Sequence, residues 1–87
     1  MAIIVKIKIM PKTIETNFES LKNKLKNILS EAENINYEVE PIAFGLKALI
    51  VTFLYPEDKD LEPLEIKIQN MEEVNSVEIL DIRRALG

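Results

Sequence analysis

The stretch LKALIVTFLY, Leu46 to Tyr55, is apolar on both of its alternating faces and rich in β-branched and aromatic residues. A strand of that kind is stable only when both faces are covered, so it belongs in the middle of a sheet. The chain has 87 residues with which to build that sheet. At this size only about 60–65% of the unfolded surface becomes buried, enough for one compact core. The expectation is one domain, residues 1–87.

The flanking segments supply partners for the central strand. In residues 2–10, Ile3, Val5, Ile7 and Ile9 alternate with Lys6 and Lys8, a period-2 strand with one buried face that ends at Met10-Pro11. Phe18, Leu21, Leu25, Ile28, Leu29 and Ala32 recur at helical spacing and make a single stripe. Thr16 with Glu19 predicts a capping box for that helix. Alternation returns at Ile35, Tyr37 and Val39. After Pro56 and the polar loop EDKD, Asp60 is placed to cap a second helix. Its stripe is Leu61, Leu64, Ile68 and Met71, and Pro63 falls in the first turn; Ile66 points off the stripe. In SVEILDIRR, Val77 and Ile79 share a face and Ile82 is out of phase; a bulge near Leu80-Asp81 would restore it. The order β-α-β-β-α-β predicts an α+β, ferredoxin-like fold, a four-stranded antiparallel sheet with two helices on one face.

Composition narrows the chemistry. The chain has no cysteine and no histidine, which removes disulfides, thiolate or imidazole metal sites, and Cys or His catalysis. No metal site and no cofactor are expected. The apolar N-terminal run is broken by lysines, unlike a signal peptide, and no run reaches the roughly 20 residues that span a bilayer. A soluble, cytoplasmic protein is expected, without a membrane partner. The net charge is −4, with six lysines against Glu15 and Glu19 up to Lys26. Such an acidic chain is a poor binder of phosphate backbones, and no direct nucleic-acid binding is expected. The uneven charge fits a solvated surface of mixed signs, or a protein partner with a complementary pattern.

One segment resists a routine reading. In PIAFGLKAL, Pro41 and Gly45 argue for a change of chain direction, yet Ile42 and Phe44 are apolar. Either these side chains fold back to close the core, or an aromatic on a rigid turn stands out as an anchor for a partner's pocket.

This segment resembles the P-[IV]-[GA]-[FY]-G-[IL]-K-x-L motif of the elongation factor 1-beta family. VNSVEILDIRRALG resembles that family's ending, a Val-x-Ser-Val-acidic strand running to a basic C-terminus. The length resembles the archaeal form. The resemblance covers essentially the whole chain and implies a guanine-nucleotide exchange factor with elongation factor 1-alpha as its partner. That partner is the GTPase that carries aminoacyl-tRNA to the ribosome, met in its GDP-bound and nucleotide-free states. The function so implied is accelerated GDP release, without chemistry of the factor's own. In family members the turn aromatic inserts between elements of the GTPase nucleotide-binding domain. By carry-over it is Phe44, supported by Pro41, Gly45 and Lys47. A basic residue near the C-terminus reaches toward the magnesium and phosphate site in eukaryotic members; Arg84 is the nearest match and Arg83 the other. The eukaryotic pattern ends in Lys-Leu, whereas this chain ends RRALG, and an arginine fork and a lysine point charge bind differently.

Other constellations carry less. Glu57, Asp58, Asp60 and Glu62 lack the spacing of a calcium loop and read as a solvated loop. Asp81 and Arg83 would share a strand face and form an ion pair. Lys6, Lys8 and Lys47 on the open sheet face, with only Phe53 and Tyr55 as aromatics, make a poor nucleic-acid reader. The alternative function is a small ligand-binding regulatory domain of the same fold, dimeric through its open sheet face. An acylphosphatase-like hydrolase would need an arginine-bearing phosphate loop after the first strand, where this chain has MPKTIET.

Overall fold

A computed structural model describes residues 1–85. The elements are β1 (Ala2–Pro11), α1 (Phe18–Ile28), β2 (Glu33–Ala43), β3 (Leu46–Pro56), α2 (Glu62–Gln69) and β4 (Val74–Arg84). The sheet order is β2-β3-β1-β4 with every pairing antiparallel. This is the ferredoxin-like α+β arrangement, and β3, the strand apolar on both faces, is internal.

The core lies between the sheet and the two helices. Val5, Ile7 and Ile9 of β1 and Leu49, Val51, Phe53 and Tyr55 of β3 meet Leu21, Leu25 and Leu29 from the first stripe and Leu64 and Ile68 from the second. The Phe53 and Tyr55 rings meet edge to face, 5.9 Å between centroids. The opposite sheet face carries no helix, yet Ile50 is only 5% exposed and Ala48 is buried. Lys8 of β1 and Glu38 of β2 lie in register with Ile50, Glu40 with Ala48, and Lys6 with Thr52 on the same face. Long side chains of that kind cover apolar surface with their stems while keeping their charges wet.

Several local expectations are corrected. The first helix is capped by Asn17, whose side chain accepts from the Ser20 amide at 3.1 Å, and not by Thr16. Thr16 instead contacts Thr13 within the preceding loop. In α2 the cap residue is Leu61, which makes no side-chain cap bond; Asp60 still accepts the Glu62 amide at 3.1 Å. Phe53 and Tyr55 belong to the helix side, and Lys47 alternates with Leu49 onto that same side, away from Lys6 and Lys8. The phase break in β4 is a bulge. Ile79 opposes Ile7 and Asp81 opposes Lys6, so Leu80 is the extra residue and Ile82 returns opposite Val5.

The hairpin tip as candidate functional site

The sheet has two ends with different chemistry. Ile9 pairs with Leu49, so the β2–β3 hairpin extends past the Pro11 end of β1. Ile3 pairs with both Tyr55 and Arg84, which places the arginines at the other end. From the Tyr55 level to Leu46 is nine residues of β3, about 30 Å at strand rise.

The tip is built by an edge strand and a two-residue turn. Pro41 does not turn the chain: β2 runs on through it to Ala43, and Pro41 pairs with Lys47. An edge strand tolerates a proline because its outer amides need no partner. The register shift between Pro41 and Ala43 leaves Ile42 as an extra residue, 40% exposed. Only Phe44 and Gly45 make the turn, with φ of 53° and 80°. Two successive positive φ values are the signature of the type I′ hairpin, whose twist matches that of its strands.

Glycine adopts such a φ freely, whereas phenylalanine does so at a cost of about 1–2 kcal/mol. The Phe44 side chain gains no burial in return: it is 101% exposed, so it does not close the core. Backbone strain and a solvated aromatic at one residue, both unfavourable to the isolated fold, are the combination expected of a contact site. Sequence reading missed a third member. Ile14, in the loop after β1, is 65% exposed, and its Cγ2 lies 4.0 Å from where a Cβ on Gly45 would sit. The available signal was one isoleucine in the otherwise polar run KTIETN.

Strand alternation sends the two arginines to opposite faces. Arg83, opposite Ile4, donates from Nε to Asp81 Oδ2 at 2.6 Å, on the face without helices. Arg84, opposite Ile3, lies on the helix side with Nη2 3.3 Å from Glu57 Oε1. Both arginines are largely exposed. Near them Lys59 pairs with Glu31, whose hydrogen bond and charge raise the lysine pKa. At the tip end Glu73 is held below the usual carboxylate range, first by its hydrogen bond from Lys24. Burial pushes the Tyr37 phenol up, and Lys22 Nζ stands 5.6 Å from that ring's centroid. The acidic loop holds no metal-binding cluster: among the described residues no such group of His, Cys, Asp or Glu occurs. The last two residues of the RRALG ending lie outside the described residues.

An exposed, strained aromatic at the tip of a ferredoxin-like sheet is a candidate protein-contact site. Residues 4–85 match the EF-1 guanine nucleotide exchange domain, and the chain belongs to that family. Among its relatives are proteins named elongation factor 1-beta. That of Staphylothermus marinus is 40% identical over 85 residues, covering 94% of each chain. Those of Methanosarcina acetivorans and Nanoarchaeum equitans are 42% and 41% identical, covering 91% of this chain and 92% and 100% of the relative. The activity is guanine-nucleotide exchange on elongation factor 1-alpha in translation elongation.

Proposed function

We propose that the exchange domain engages its GTPase through the hairpin tip, with Phe44 as the wedge and Pro41, Gly45 and Lys47 as its frame. The observation that carries this reading is the fully solvated Phe44 ring on a positive-φ turn. Pro41 stiffens the strand leading to the turn. Gly45 supplies the second positive φ, and Lys47 sets a cation one pair behind the tip.

Arg84 is the better placed C-terminal cation. Arg83 is already held by Asp81 in a short hydrogen bond, whereas the Arg84–Glu57 contact is longer and more easily exchanged for a partner anion. With about 30 Å of sheet between them, Phe44 and Arg84 cannot enter one cleft. They touch separate surfaces of the partner: Arg84 is the group that reaches the magnesium and phosphate site, and Phe44 acts on the GTPase from a different surface.

The energetics are attainable without chemistry. A GTPase holding GDP at about 1 nM binds it by about 12 kcal/mol. With association near 10⁶ M⁻¹s⁻¹, release then takes on the order of 10³ s. A thousandfold acceleration needs about 4 kcal/mol. One buried phenylalanine supplies roughly 1.5–3 kcal/mol, and a cation near the phosphates supplies more by disfavouring magnesium. Only tighter binding to the nucleotide-free state than to the GDP state shifts the equilibrium. The domain therefore acts by binding and not as an enzyme, in the cytoplasm, with no nucleic-acid contact of its own.

The test is release of fluorescent GDP from elongation factor 1-alpha into excess unlabelled nucleotide. Phe44→Ala should lose most of the acceleration while remaining folded. Full activity in that variant would remove the wedge.

A further inference from the structure

Two loops meet at the hairpin end. The segment between Pro11 and Phe18 passes beside the Phe44–Gly45 turn, and Ile14 is its one apolar side chain. Ile14 takes no part in the hydrophobic core. The loop is nonetheless tied down. The Lys12 amide donates to the Glu73 carbonyl at 3.0 Å, the Glu15 amide to Thr13 Oγ1 at 3.2 Å, and the Thr16 amide to the Thr13 carbonyl at 3.4 Å. An isoleucine 65% exposed on a hydrogen-bonded loop, beside the glycine of a strained turn, has its position set before any partner arrives.

We propose that Ile14 is a partner-binding residue, forming with Ile42 and Phe44 a composite apolar surface that docks on elongation factor 1-alpha. The inference rests on the reading of Phe44 as a contact, and the place of Ile14 beside Gly45, the residue that follows Phe44 in the same turn, is what assigns the occupant. An aromatic alone on a two-residue turn offers one narrow contact. A second apolar group fixed from another loop widens the centre of the interface, and anchors near the centre of an interface carry most of its energy. Both loops are preorganised, so little ordering cost opposes binding. Ile14 lies about 30 Å from Arg84, so its effect belongs to affinity and not to the nucleotide site.

The experiment titrates the domain into elongation factor 1-alpha loaded with fluorescent GDP and reads the half-saturating concentration and the maximal release rate separately. Ile14→Ala should raise the half-saturating concentration about fivefold and Ile14→Asp more than tenfold, with the maximal rate unchanged and Ile14→Val close to the parent chain. Unchanged half-saturation in Ile14→Asp, with Phe44→Ala impaired, overturns the composite surface and leaves the wedge standing. If Phe44→Ala is unimpaired, the reading beneath the inference fails, and the composite surface with it. A clear loss of thermal stability in Ile14→Ala makes the residue a loop clamp and overturns the proposal. So does sedimentation showing that Ile14→Asp abolishes a dimer of the parent chain, since the occupant is then a second copy.

Discussion

Replacing Phe44 with asparagine should make the domain more stable and less active. Phenylalanine at φ 53° costs about 1–2 kcal/mol. Asparagine tolerates the left-handed region, and Asn-Gly is the preferred sequence of a type I′ turn. The ring is 101% exposed, so its removal sacrifices no burial within the chain. The expected gain is about 1 kcal/mol. With a guanidinium slope of about 2–4 kcal/mol/M, the unfolding midpoint should rise by about 0.25–0.5 M. The thermal midpoint should rise by about 4–8 °C. In the GDP-release assay the lost ring forfeits about 1.5–3 kcal/mol of contact, which raises the half-saturating concentration about 10- to 150-fold. Phe44→Ala is the control, because it deletes the ring but keeps the strain, and its midpoint should barely move. A midpoint that falls in Phe44→Asn, or exchange that survives it, would refute the link between strain and contact.

Other outcomes follow from the same geometry. Arg84→Ala should lower the maximal release rate at least tenfold while changing unfolding by less than about 0.5 kcal/mol, since an exposed pair with Glu57 is worth little; a fully active variant would free the C-terminal cation of any role. Gly45→Ala should destabilise by about 1 kcal/mol, because φ is +80° there although Ile14 leaves room for a methyl group; an unchanged denaturation midpoint would contradict it. Glu73, depressed in the folded state chiefly by the Lys24 hydrogen bond, contributes stability above its unfolded pKa of about 4.3. That contribution is lost as pH falls through the lower folded value. Unfolding free energy should therefore drop more steeply below pH about 4.3 in the parent than in Glu73→Gln, with less than about 1 kcal/mol between them at pH 7.

Much of the fold was legible because burial imposes period. The stripes through Leu21, Leu25 and Leu29 and through Leu64 and Ile68 were written by the sheet they cover. Ile82 betrayed the β4 bulge by falling out of phase. Boundaries were less legible. Thr16 and Asn17 are both good caps, and in the fold Asn17 takes the cap while the Thr16 hydroxyl lies beside Thr13. Pro41 looked like a turn because the edge position that lets a strand run through it is a property of sheet order. At the site, Phe44 could be named but not oriented. Whether its ring faces the core depends on the sign of φ at the turn, and nothing in the chain composition fixes that sign. Ile14 stayed hidden because its neighbour Gly45 is 31 residues away in sequence.

The bulge at Leu80 bears on how β4 tolerates change. Because Leu80 has no opposite number on β1, it is a spare link. Removing it would join Ile79 to Asp81 and leave every later residue across from its present neighbour. Adding a link between Asp81 and Arg83 would do the reverse, exchanging the outlooks of the two guanidinium groups. The strand thus forgives a change of length at one point and punishes one made just beyond it.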